Sequence, residues 1–194
     1  MSIPDNNFIT IVSGLPRSGT SMMMRMLAAG GMPVLSDGIR QPDQDNPYGY
    51  FEYEPVKKVH EDASWIAGAS GKAVKMVYAL LYSLPAAHTY KVILMNRNLD
   101  EVIASQDAML HGQGKNAEGL SPAETAAVFR VHIERLRSWL RGKANFAVVD
   151  VNYKDVVTAP AKAALDVSRF LDSGLNVDAM IGAVDTSLYR QRRS

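Results

Sequence analysis

The sequence predicts an α/β protein with a central parallel sheet of four to five strands, flanked by helices. Three observations carry this. The strand candidates are continuously apolar instead of alternating, as strands covered on both faces must be. They alternate along the chain with segments of helical periodicity. No linker, internal repeat or low-complexity run divides the 194 residues, so a single domain over 1–194 is expected.

The elements follow in order. Residues 8–13 (FITIVS) form a short apolar run that ends at Gly14, the pattern of a buried strand. Residues 18–29 read as a helix with Met22, Met23, Met26 and Leu27 on its apolar face and Gly30-Gly31 as its stop. Residues 31–53 are rich in Pro, Gly, Asp and Asn and read mostly as loop; a loop of that length in a compact domain is often functional. Residues 55–67 read as an amphipathic helix with Pro55 near its first turn. Residues 72–78 (KAVKMVY) and 91–96 (KVILMN) are the next strands, followed by a helix over 100–110. Pro122–Arg141 is a helix whose start is written as Ser121-Pro122-Ala-Glu124, serine at the cap and glutamate three residues on. Residues 146–151 (FAVVDV) form a fourth strand, and helices over 160–171 and 177–183 close the chain.

Composition narrows the functional classes. Hydrophobic residues make up 47% and charged residues 21%, an ordinary soluble balance. The net charge of +1, from 21 basic and 20 acidic residues, is too neutral for a bulk nucleic-acid binder. Any anion must be held by a local arrangement of donors. The chain has no cysteine, which removes disulfides, thiolate catalysis and Cys-based zinc sites together. Its first residues, MSIPDNNFITIV, lack a signal-peptide pattern, and no apolar run is long enough to span a bilayer. A soluble, cytoplasmic protein is the expectation.

The chemistry concentrates at Gly14-Leu-Pro-Arg-Ser-Gly-Thr-Ser21, where a strand, a glycine-bounded turn and a helix start follow one another. That order aims backbone N–H groups and the positive end of the helix dipole at one spot. Gly14 and Gly19 let the backbone approach an anion, Thr20 and Ser21 add hydroxyl donors, and Arg17 adds a charged fork. An ATP-type loop would be Gly-x4-Gly-Lys-Ser/Thr. Here Thr20 stands at the lysine position, and the positive charge has moved into the loop at Arg17.

Pro16-Arg17-Ser18-Gly19-Thr20-Ser21 resembles the 5′-phosphosulfate loop of the sulfotransferases that use 3′-phosphoadenosine-5′-phosphosulfate (PAPS). The resemblance implies a three-layer P-loop NTPase-like fold, PAPS as co-substrate, 3′,5′-ADP as product, and neither ATP nor a metal. A second match lies downstream. Lys91-Val-Ile-Leu-Met-Asn-Arg97 followed by Asn-Leu-Asp-Glu-Val-Ile-Ala-Ser105 is similar to the family's Arg-x7-Ser signature, in which the two side chains hold the 3′-phosphate. An ion pair of Arg97 with Asp100 or Glu101, and a plain helix-face hydroxyl at Ser105, are the alternative readings.

Weaker matches cover most of the rest. Asn152-Tyr153-Lys-Asp-Val resembles the family's Tyr-Glu-Asp-Leu segment, which would bring Tyr153 to the adenosine; a core tyrosine at a strand end is the alternative. Lys75 resembles the lysine near the acceptor in many members, but Val77 replaces the histidine base found two residues further on in the cytosolic branch. Asn46-Pro-Tyr-Gly-Tyr-Phe-Glu52 and Val184-Asp-Thr-Ser-Leu-Tyr-Arg190 are similar to segments of bacterial members. The family's Gly-rich C-terminal cofactor motif is missing, and Arg190, Arg192 or Arg193 would have to replace its charges.

The resemblance implies in-line transfer of a sulfuryl group to a hydroxyl or amine of a small-molecule or peptide acceptor. Arg17, with Thr20, Ser21 and Lys75, would stabilise the charge that grows on the bridging oxygen. Asp37 and Glu52 are the candidate general bases, with a turn role before Gly38 as the alternative for Asp37. A homodimer would complete the short domain. Two other readings stand beside this one: a P-loop kinase, in which Asp150 of Phe146-Ala-Val-Val-Asp150 would manage Mg²⁺, and a non-catalytic member of the fold.

Overall fold

A computed structural model describes residues 7–43, 46–112 and 120–188. Its frame is a five-stranded, all-parallel sheet in the order β2-β3-β1-β4-β5. The strands are β1 (Ile9–Gly14), β2 (Val34–Leu35), β3 (Ala73–Val77), β4 (Tyr90–Asn96) and β5 (Phe146–Asn152). The helices are α1 (Thr20–Ala29), α2 (Leu99–Gly112), α3 (Pro122–Arg141), α4 (Tyr153–Thr158), α5 (Pro160–Leu171) and α6 (Val177–Gly182). The register aligns Gly14 with Val77 on one side and with Met95 on the other, so β1, β3 and β4 end level with one another. The chain leaves β1 for α1 and β4 for α2 at that one edge. In open parallel sheets this carboxyl edge is where ligands collect.

The continuous apolar strands pack as their period of two requires. Val12, Ile93 and Met95 point to one face, against Met23, Met26 and Leu27 of α1, Val167 and Leu171 of α5 and Met180 of α6. Ile9, Ile11, Tyr90, Val92 and Leu94 point to the other, against Leu136 and Leu140 of α3 and against Val56, Ile66 and Leu81. Sheet and helices thus make three layers around two cores. Among the described residues, no helix is long and apolar enough to cross a membrane.

Local signals explain most boundaries. Ser121 Oγ accepts the Glu124 N–H, and the Glu124 carboxylate accepts the Ser121 N–H at 2.8 Å, the reciprocal cap that the sequence predicts for α3. The expected helix over 55–67 does not form. Two 3-10 turns, Glu54–Lys58 and Ser64–Gly68, stand in its place. Asp62 accepts the Ser64 N–H at 2.8 Å, a local bond that competes with a continuous helix. Within the expected loop, Val34–Leu35 adds a short edge strand beside β3. Tyr78–Ser83 forms a further 3-10 turn, and α4 follows β5 directly; neither is anticipated by the sequence pattern.

Candidate functional site

The turn between β1 and α1 is built by close approach. A Cβ on Gly14 would lie 2.5 Å from Ser18 Oγ and 2.6 Å from the Met95 carbonyl oxygen. Gly19 has φ 96°, and a Cβ there would lie 2.4 Å from a ring carbon of Tyr153. Between them Arg17 holds φ 66°, a left-handed conformation that costs a non-glycine residue about 1–2 kcal/mol. The first amides of α1 have no partner within the helix and face this turn.

Arg97, at the exit of β4, holds the turn from beside it. Its Nη1 donates to the Arg17 carbonyl at 3.1 Å, and its Nε donates to Glu101 at 3.0 Å. The side chains of Arg97 and Glu101 are only 8% and 7% exposed, so the ion-pair alternative is realised, and in a buried form. The guanidinium lies 4.4 Å from the centroid of the Tyr153 ring, which itself rests against Gly19. Ser105 is buried on α2 and accepts from Arg17 Nε at 3.0 Å; Arg17 Nη1 also reaches Met109 Sδ at 3.9 Å. Arg17, Arg97, Ser105 and Tyr153, brought from three distant segments, therefore meet.

They line one cavity of about 430 Å³, together with Pro16, Gly19, Thr20, Ser21, Glu52 and Lys75. Ser18 is not on the wall. It is 1% exposed behind the turn, and its Oγ has no hydrogen-bond partner.

On the β3 side, Lys75 Nζ donates to the Tyr50 carbonyl and approaches Ser21 Oγ at 3.4 Å and Glu52 at 3.8 Å. Burial pushes the Lys75 ammonium down to about 8, against the opposing pull of Glu52. The Glu52 carboxylate also accepts from Arg40 at 2.9 Å and lies 3.7 Å from Lys57. Among the described residues, the cavity wall carries five cations (Arg17, Arg40, Lys57, Lys75, Arg97) and one carboxylate, Glu52. This end of the sheet attracts an anion.

The two candidate bases separate. Glu52 is on the wall. Asp37 is exposed and is not; its oxygens accept the N–H groups of Ile39 and Glu54, which hold its carboxyl below the usual carboxylate range. It braces the ends of the 37–54 loop, as its turn alternative expects. Asp150 is off the wall too. Arg137 and Asn96 donate to its carboxylate, so it is held in a surface pairing and does not face the cavity. Arg190 lies outside the described residues. Sequence reasoning missed Arg40, Tyr50 and Lys57. Only tertiary packing brings them to the wall, although Tyr50 lies within the Asn46–Glu52 segment that is similar to bacterial members.

No family model matches the chain, and no curated protein matches it in sequence. Solved structures do match. The sulfotransferase domain of the Synechococcus olefin synthase superimposes with a TM-score of 0.55 at 16% identity, over 97% of this chain and 82% of that one. A Mycobacterium tuberculosis sulfotransferase gives 0.59 at 17% identity, over 95% and 75%. A mouse sulfotransferase complexed with PAP gives 0.61 at 14% identity, over 97% and 68%. The chain has the fold of these sulfotransferases, α/β with a parallel central sheet.

Proposed function

We propose that the protein is a PAPS-dependent sulfotransferase. The observation that carries this reading is the meeting of Arg97 and Ser105 with the Arg17 turn in one cation-rich cavity, while Thr20 occupies the position of an ATP-type lysine. Two anionic groups are expected at the two ends of the donor. The 14–21 turn, with Thr20, Ser21 and the first amides of α1, takes the phosphosulfate. Arg97 and Ser105 take the 3′-phosphate. Tyr153 lies between them, where a nucleoside would pass.

The acceptor oxygen forms a new O–S bond as the bond from sulfur to the bridging oxygen breaks. Both electrons of the broken bond leave with 3′,5′-ADP. Arg17 and Lys75 stabilise the charge that appears there; loss of one such donor typically costs ~10²–10³ in rate. The acceptor proton goes to Glu52, the carboxylate on the cavity wall. The Asp150 pairing favours no Mg²⁺-dependent alternative.

Calorimetry on the purified protein tests this. 3′,5′-ADP is expected to bind without Mg²⁺ and ATP-Mg²⁺ is not. Arg97→Ala should weaken 3′,5′-ADP well beyond 5′-AMP, which loses only what the Arg97 bond to the turn contributes, and Arg17→Ala should reduce turnover more than product affinity. Binding of ATP-Mg²⁺ alone overturns the reading; equal losses of 3′,5′-ADP and 5′-AMP in Arg97→Ala remove its 3′-phosphate assignment.

A further inference from the structure

The cavity has two unlike halves, and sheet order separates them. On the β4–β5 side its walls are Arg97, Ser105 and Tyr153. On the β3 side they are Tyr53, Val56, Met76, Val77 and Leu80, from the end of β3 and the two 3-10 turns at Glu54–Lys58 and Tyr78–Ser83. Ser21, Lys75 and Glu52 stand at the junction. Resting on the sulfotransferase reading, which assigns the first half to the donor, we infer that the second half receives a compact apolar alcohol or phenol, hydroxyl end first.

Three features select this class over a sugar, an amine or an acidic peptide. The first is the lining. A sugar brings many hydroxyls, and each one buried without a partner costs free energy. The charged groups at the rim of this half are already engaged with one another: Arg40 with Glu52 at 2.9 Å and with the Tyr50 ring at 3.4 Å, and Lys57 with Glu54 at 2.7 Å. The apolar wall offers the others nothing.

The second is charge. With the multiply anionic donor bound, an acidic peptide meets like charge and gains no attraction from the wall. An alkyl amine is an ammonium at neutral pH, and burying it against the apolar wall removes its hydration without a free carboxylate to replace it. A neutral hydroxyl compound meets neither penalty. The third is size. The whole cavity holds about 430 Å³ and takes the donor as well, since Arg97, Ser105 and Tyr153 line it too, so only a compact acceptor fits beside the donor. Val77 lines this half and is 47% exposed, so a longer apolar tail lying along it would reach solvent.

The test uses the whole chain with PAPS and separates the sulfated products by chromatography. 2-Naphthol and 1-octanol are compared with N-acetylglucosamine, octylamine and an acidic tyrosine peptide. The apolar hydroxyl compounds are expected to show kcat/KM at least about 10-fold above the others. In Val77→Asp, a substitution at an exposed position, KM for the apolar acceptor should rise about 10-fold or more while 3′,5′-ADP binding is unchanged. Preferred turnover of the sugar, amine or peptide overturns the inference alone, as does intact 3′,5′-ADP binding with no turnover of either apolar alcohol. Failure of the wild-type chain to bind 3′,5′-ADP overturns the sulfotransferase reading and this inference with it.

Discussion

Lys75 shows how one side chain links burial to chemistry. Its position inside β3 puts the ammonium under the sheet's carboxyl edge, and burial lowers it from 10.5 to about 8. Between about pH 8 and 10.5 the unfolded chain holds the proton that the folded chain has lost. Stability therefore rises with pH across that window, and the burial penalty is fully present below it. On the sulfotransferase reading activity moves the other way, because the charged form is the one that would stabilise the leaving oxygen. The kcat/KM for PAPS should carry a basic limb near pH 8, and kcat should carry it higher, since a bound anion favours the ammonium. Lys75→Arg should abolish the limb, because a guanidinium does not titrate there. A limb unmoved by that substitution would assign it elsewhere. Glu52 and Asp37 make a complementary point at the same scale. Both are loop carboxylates fifteen positions apart, and the sequence puts Asp37 first and Glu52 second as the base. Local N–H groups capture Asp37, and distant cations capture Glu52. Only the folded chain shows which of them reaches the wall.

At the scale of elements, the two specific motifs were legible because their chemistry is local. Gly14 and Gly19 announce a strand-to-helix turn, and Arg97 and Ser105 sit at the exit of one strand and on the following helix. The wall opposite was not legible. It comes from 3-10 turns and a long loop, whose residues follow no period and are placed by tertiary packing. Over 55–67 an apolar pattern compatible with a helix gives way to two 3-10 turns, with the local bond from Ser64 N–H to Asp62 at the start of the second. Packing between elements also yields two predictions. The buried Arg97–Glu101 pair fastens α2 to the end of β4, so Glu101→Ala leaves a buried guanidinium without its carboxylate and should cost ~3–5 kcal/mol in urea unfolding. Replacing both residues by apolar ones of similar volume should cost much less. The β1–α1 turn is fastened to α4 by the contact of Gly19 with Tyr153. Gly19→Ala should destabilise the fold by ~1–3 kcal/mol and weaken 3′,5′-ADP, and combining it with Tyr153→Ala should cost less than the sum of the two single losses, because the clash is gone while the positive φ remains. Strictly additive losses in that cycle would show that the ring contact is not what constrains the turn.

For the whole molecule, the decisive fact is that the site belongs to no single segment. Its wall runs from Gly14 to Tyr153 in sequence, and it is assembled where β1, β3 and β4 end level. The sheet order, which places β1 between β3 and β4, puts the anion turn in the middle, the arginine-serine pair on one side and the apolar wall on the other. A ligand that spans the first two parts binds only when those elements are docked together, so it favours the folded state over the unfolded one by mass action. At 100 times its Kd, 3′,5′-ADP should add ~2.7 kcal/mol, which corresponds to a Tm rise of roughly 5–10 °C for a chain of this size. 5′-AMP at the same concentration lacks the 3′-phosphate and should give a clearly smaller shift. Arg97→Ala should bring the two shifts together by lowering that of 3′,5′-ADP. Arg40→Ala lies on the opposite wall and should leave their difference intact. Thermal scans on these three proteins separate a site built across the sheet from a nonspecific attraction of anions to a cationic surface: the second predicts that the Arg40 substitution erodes the difference as much as the Arg97 substitution does.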